Sequence, residues 1–220
     1  MSKNLKIKEI PCTDVAIVNY NSGNLYNIGK AVSHLGHNPV CINTPKHLSE
    51  YSHIILPGVG SFSEAMKVLK KSGIADELKN CVEDGALVLG ICLGMHLLCA
   101  ESSEFGNSKG LSILDGRVRS IPKFDNFKVP NVGNYKLVVN KTFQADWIIN
   151  PPEDYYYFCH SFMVQDFGVK NCSHNAQYGN LQIPALLTNN RNVFGVQFHP
   201  ELSGQSGLSF IKSFLDKNRT

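Results

Sequence analysis

Three times in its first half the chain passes from an unbroken apolar run, through a glycine-bearing turn or corner, into a stretch whose apolar residues recur at helical spacing. "VAIVNY" (15–20) gives way to "NSGN" and then to Leu25, Ile28, Val32 and Leu35, with Gly36 placed to stop the helix. "HIILPGVG" (53–60) ends its strand at Pro57. Ser61 and Glu64, three apart, then read as a capping box ahead of Ala65, Met66, Val68 and Leu69. "ALVLGI" (86–91) runs into a helical stretch over 93–100. A strand that is apolar along its whole length has to be covered on both faces, so this pattern calls for a parallel sheet with helices on either side.

From Gly110 onward the texture changes. Short β-like runs, "GRVRSI", "YKLVV", "YYYFCHSFMV" and "NVFGVQF", are separated by Asn, Gly and Pro, and a closing helix spans 207–217. The expected fold is α/β, with a mostly parallel central sheet and a partly antiparallel, strand-rich second half. No internal repeat, low-complexity tract or linker interrupts the 220 residues, so a single domain over 1–220 is expected, with 1–13 as an N-terminal extension.

Charge and cysteine usage narrow the chemistry. The formal charge is +3 and the lysines are dispersed apart from the opening "MSKNLKIKEI", which leaves no basic face able to neutralise a row of phosphates. Nucleic acid is not an expected partner. No window approaches the roughly 18 apolar residues of a membrane span, and no apolar segment follows the first lysines, so no membrane association and a cytoplasmic location are expected. Seven cysteines, an odd number scattered through strand and helix patterns without a C-x-x-C pair, argue against both a disulfide framework and a zinc site. Neither a metal nor a cofactor is expected, and most of these thiols read as core filling.

Cys92 is the exception. In "LGICLGMHLLCAES" (89–102) it stands where a strand stops and a helix starts, flanked by Gly90 and Gly94. A side chain at such a corner is pushed up at the carboxyl edge of the sheet, where open α/β sheets bind ligands. The helix beginning there aims its positive end at the sulfur, which favours thiolate. A buried structural thiol is the alternative, and a partner base decides between them. "VFGVQFHPELSG" (193–204) supplies one: Pro200 ends a strand so that His199 and Glu201 project from one edge in quick succession. A cysteine nucleophile needs an imidazole to take its proton, and the imidazole gains from a carboxylate that fixes its tautomer. "PGVGSF" (57–62) follows a buried strand and offers glycine backbone for an oxyanion site, although a plain turn would look the same. It lacks the G-K-[ST] of a phosphate loop.

Together, "YNSGNLYNIGKAVSHLG", "LPGVGSFSEAM", "GICLGMHLL" and "GVQFHPELSG" resemble the class I glutamine amidotransferases, and within them the glutaminase subunits of imidazole glycerol phosphate synthases, over about Val15 to Leu215. The resemblance implies a flavodoxin-like, three-layer fold and a Cys92–His199–Glu201 triad that hydrolyses glutamine to glutamate and ammonia. Ammonia would pass to a (β/α)₈-barrel synthase subunit in a heterodimer, acting as a lyase that makes imidazole glycerol phosphate and AICAR. It also implies an oxyanion role for backbone at Gly58, Val59 and Gly60, binding of the glutamine amino group by Glu104, and substrate contact by His160, Ser161 and Phe162.

The chain departs from the family pattern at several points. His96 stands where the family usually has glutamine, within the substrate-binding group. "PNVGNY" replaces P-H-x-G-W-N, putting Asn131, Asn134 and Tyr135 in place of histidine, tryptophan and asparagine, and Leu202 replaces a common lysine. These changes leave three alternatives open: a paralogue supplying ammonia to another synthase, for example in acetamidino-sugar formation for surface glycans; a catalytically decayed regulatory subunit; or a stand-alone cysteine hydrolase.

Overall fold

The computed structural model describes residues 13–21, 24–123, 128–140, 155–168 and 171–218. The segment read as an N-terminal extension lies outside them apart from Thr13. The first half mixes strands and helices: β1 (Asp14–Val18), α1 (Leu25–His34), β2 (Asn38–Ile42), β3 (His53–Leu56), α2 (Phe62–Ser72), α3 (Ile74–Glu83), β4 (Leu87–Ile91) and α4 (Leu93–Leu98). Strands then dominate: β5 (Glu101–Ser102), β6 (Ser108–Lys109), β7 (Arg117–Ser120), β8 (Asn131–Val139), β9 (Tyr155–His160), β10 (Phe162–Gln165), β11 (Cys172–Tyr178), β12 (Leu181–Thr188) and β13 (Val193–Val196), before α5 (Gly204–Leu215).

The central sheet has the order β2-β1-β3-β4-β13-β12-β11-β8-β9. It is parallel from β2 to β13 and antiparallel from β13 to β9. A smaller sheet runs β10-β7-β5-β6. This is the α/β, flavodoxin-like arrangement, with the change from parallel to antiparallel at β13.

Side chains alternate across the pleat, so each parallel strand feeds two cores. Val15, Ile17, Ile55, Leu87 and Leu89 pack with Ile28 and Val32 of α1 and Phe210 and Phe214 of α5. Ala16, Val18, Ile54, Leu56 and Val88 pack on the other face with Met66 and Leu69 of α2, Leu78 of α3 and Met95 of α4. Each fully buried Leu, Ile or Phe contributes about 2 kcal/mol of apolar transfer, which is why the unbroken runs became inner strands. Among the described residues no helix is long and apolar enough to cross a membrane.

Several local readings need correction. Helix α2 starts where the capping box placed it, yet Ser61 makes no side-chain capping bond. Its hydroxyl lies 3.2 Å from that of Ser63, and Glu64 turns outward to Lys67 at 2.6 Å. Helix α4 stops at Leu98, because Cys99 turns extended at ψ 174° and Ala100 N–H bonds Gly116 O at 3.1 Å, next to the β5–β7 pairing. Strand β13 ends at Val196, two residues before Phe198, and α5 begins three residues ahead of Gly207. Strand β2 and the β11–β12 hairpin escaped the sequence pattern because Pro39 and Pro184 sit within β2 and β12.

Candidate active site

The parallel pairing of β4 with β13 sets Ile91 beside Val196. Both strands therefore end level at the carboxyl edge. The next residue of each chain is Cys92 and Gln197, and Cys92 N–H is tied to Val196 O at 2.7 Å. Cys92 takes φ 51°, ψ −105°, a conformation costing about 1–3 kcal/mol for a residue with a side chain. Packing enforces it. A Cβ on Gly94 would lie 1.8 Å from Leu56 O, and one on Gly90 would lie 2.8 Å from Gly94 backbone, so only glycine lets the start of α4 press against the ends of β3 and β4.

His199 is fixed on three sides. Its N–H donates to Tyr157 O of β9 at 2.8 Å, and its carbonyl accepts from Ser203 Oγ at 2.6 Å. Its ring Nδ1 meets Glu201 Oε1 at 2.9 Å, with the two side chains only 5% and 1% exposed. Pro200 lies under α5, where a Cβ on Gly207 would come within 1.8 Å of its carbonyl, so the turn holding His199 and Glu201 is clamped by that helix. Cys92 lines the same cleft as this imidazole, its sulfur 4.0 Å from Cys159 O of β9. Burial alone would lower the His199 pKa, but the interactions with Cys92 and Glu201 outweigh it and lift the ring to about 10.

The other two histidines of the site move the opposite way. Burial pushes His96 down to about 4 against the opposing effect of a hydrogen bond with Gln197, at 2.8 Å. Burial takes His160 to about 3, opposed by a 2.7 Å bond to Phe162 O and helped by the charges of His96 and His199. Because Nδ1 of His160 donates to that carbonyl, its Nε2 accepts from Asn131 Nδ2 at 2.9 Å. The site thus holds one cationic imidazole and two neutral ones.

These groups line a cleft of about 570 Å³. Its lining includes Val59, Gly60, Cys92, His96, Glu104, His160, Ser161, Phe162 and His199. Glu201 stands behind His199. Gly58 does not line the cleft: it packs under the elbow, where a Cβ would sit 2.8 Å from Leu93 Cβ and 2.1 Å from the Tyr20 hydroxyl that donates to Pro57 O. Glu104 reaches the cleft while accepting the Phe62 N–H at 2.7 Å. Val59 (48%), Phe105 (89%) and Leu202 (44%) expose apolar surface at its mouth. Tyr157, Cys159 and Phe105 were missed as lining residues, although Cys159 directly precedes His160 on β9. Gln197, buried beside Cys92 and not part of the cleft lining, was missed as well, and the level ends of β4 and β13 are the signal that finds it. Among the described residues no three His, Cys, Asp or Glu side chains gather to hold a metal ion.

The sequence profile described as Glutamine amidotransferase class-I matches residues 16–218. The chain belongs to the class-I glutamine amidotransferases. This amidotransferase is 38% identical over 206 residues to the imidazole glycerol phosphate synthase subunit HisH of Geobacillus sp. (strain WCH70), covering 91% of this chain and 95% of that one. It is 39% identical over 201 residues to the same subunit of Caldanaerobacter subterraneus subsp. tengcongensis, covering 91% and 96%. Among solved structures, PurLQS from Thermotoga maritima superimposes with a TM-score of 0.71 at 21% identity over 93% of this chain and 98% of that one. A glutamine amidotransferase crystal structure gives 0.69 at 21% identity over 92% and 97%. Both share the fold.

Proposed function

We propose that this amidotransferase is the glutaminase subunit of an imidazole glycerol phosphate synthase, one domain over 1–220 that acts in the cytoplasm beside a barrel-type synthase partner. The observation carrying the reading is the gathering of the Cys92 sulfur and the His199 imidazole in one cleft at one sheet edge, with His199 held by the buried Glu201 carboxylate at 2.9 Å. In this mechanism the proton shared by Cys92 and His199 rests on the imidazole, and the sulfur attacks the side-chain carbonyl carbon of glutamine. Backbone N–H groups around Val59, Gly60 and the start of α4 stabilise the oxyanion. His199 then gives its proton to the departing nitrogen, and ammonia leaves a glutamyl thioester. Water, deprotonated by His199, hydrolyses the thioester to glutamate and restores the thiol. Glu201 keeps Nδ1 oriented and its charge matched throughout. Glu104 takes the substrate's amino group, while His96, His160, Ser161 and Phe162 shape the pocket.

The apolar rim of Val59, Phe105 and Leu202 supports a partner that covers the cleft and receives the ammonia. The Cys92→Ala variant is the first test: glutamine hydrolysis should disappear with the unfolding midpoint unchanged, and wild-type-like turnover would remove the mechanism. The pathway is tested by complementation. The chain, expressed with its barrel partner, should restore growth without histidine to a strain lacking the glutaminase subunit.

A second reading keeps the chemistry and changes the acceptor, as in a paralogue serving a different synthase. Its motive is the pairing of Asn131 with His160 and the exposed Leu202, both at positions where the family pattern differs. Growth failure together with an intact, labellable Cys92 would favour it. A glutamine-like electrophile that never labels Cys92, with or without partner, would instead favour a decayed regulatory subunit.

A further inference from the structure

Gln197 is fully buried, one step beyond β13, and its side chain spans the gap between two functional groups. At one end its Oε1 lies 2.8 Å from His96 Nε2, and at the other its Nε2 lies 3.8 Å from Cys92 Sγ. A carboxamide has one accepting end and one donating end. A neutral His96 that donates from Nε2 takes the accepting end, so the donating end faces the sulfur.

We propose that His96 is a positioning residue acting on Cys92 through Gln197: its ring N–H locks the carboxamide so that Gln197 supplies the sulfur with a hydrogen-bond donor on the side away from His199. The inference rests on the reading of Cys92 as the nucleophile. Two features make the arrangement one-directional. His96 stays neutral because burial disfavours its charged form by more than the hydrogen bond with Gln197 favours it. With the carboxamide reversed, its oxygen would face a sulfur that becomes negative during the reaction, which is repulsive. Gln197 thus acts on the reacting atom, and His96 acts one bond further away.

The titratable groups facing this unit come from three elements. His199, with Glu201 behind it, approaches from the turn after β13, His160 from β9, and Glu104 lies across the cleft after β5. His160 is held neutral by its burial.

The test is the pH dependence of Cys92 alkylation by iodoacetamide in the purified full-length chain, read by peptide mass spectrometry, with exposed Cys41 as the internal control. A hydrogen bond to the charged form lowers a thiol's pKa, so removing the donor in Gln197→Met should move the Cys92 profile up by about one unit. Below the midpoint the rate should fall about tenfold. The Cys41 profile should stay in place. His96→Leu should shift Cys92 in the same direction, His96→Gln should restore the profile, and the His96→Leu/Gln197→Met double variant should shift no further than Gln197→Met. If Gln197→Met does not yield folded protein, the His96→Leu shift and its rescue by His96→Gln decide the matter. Unshifted profiles in both single variants, with Cys92 still labelled and Cys92→Ala inactive on glutamine, overturn the inference and leave the glutaminase mechanism standing. An unlabelled wild-type Cys92, or an active Cys92→Ala, removes both.

Discussion

The Glu104 carboxylate accepts the Phe62 N–H at 2.7 Å, so the first turn of α2 is capped by a side chain 42 residues further along the chain. The same carboxylate reaches the cleft, which joins the start of α2 to the site through one group. The neighbouring Ser61, which the sequence marked as the cap, contributes no such bond.

Loss of that cap should be measurable without substrate. Glu104→Ala is expected to destabilise the fold by about 1 kcal/mol, the usual size of a lost helix N-cap. Ser61→Ala should cost much less. Urea unfolding of the two variants settles the order, and equal losses would return the capping role to Ser61.

Two glycines separate close approach from backbone freedom. Gly94→Ala places a methyl 1.8 Å from Leu56 O, so the elbow must move, and a loss of about 3 kcal/mol or more is expected. Gly36, at φ 86° with nothing within 4 Å of the point a Cβ would occupy, should lose only about 1–2 kcal/mol on replacement by Ala. Thermal unfolding should rank them in that order, and a tolerated Gly94→Ala would contradict the packing described.

The His199–Glu201 pair should leave a mark on stability as a function of pH. His199 is raised from 6.5 to about 10, so its contribution is fully present below 6.5 and is lost as the pH climbs through 10. The stability gap between wild type and Glu201→Gln should therefore be widest near pH 6 and close toward pH 10. Urea titrations at several pH values measure it, and a gap independent of pH would show that the charge of His199 is not involved. Glutamine hydrolysis by Glu201→Gln should fall about a hundredfold or more.

His160 has the opposite sign. It is pushed down from 6.5 to about 3, so its contribution is present above 6.5 and is lost as the pH falls toward 3. Its ring NMR signals should not titrate between pH 5 and 8. Asn131→Asp removes the N–H that Nε2 accepts and brings a carboxylate against it, so the ring should then titrate within that range. Wild-type signals titrating near 6.5 would contradict the buried, neutral assignment.

The parallel half of the fold was legible because burial on both faces leaves a local trace: runs such as "HIILPG" and "ALVLGI" can only be inner strands. Cys92, His199 and Glu201 were legible for a related reason, since a corner between glycines and a strand-ending proline mark the carboxyl edge within a few residues. Strands carrying Pro39 and Pro184, and the lost capping box of α2, were hidden because their outcome depends on which partners arrive from far along the chain.

What the sequence determined by itself was the set of elements whose apolar surface demands cover, and the kind of chemistry placed at their ends. Tertiary structure alone decided that Ile91 stands level with Val196. That register, set by packing across two cores, brings a sulfur and three imidazoles into one cleft, with a buried carboxamide beside the sulfur, and gives each imidazole its own protonation state. Hydrogen bonding and desolvation depend on distances in space, which no local run of residues encodes.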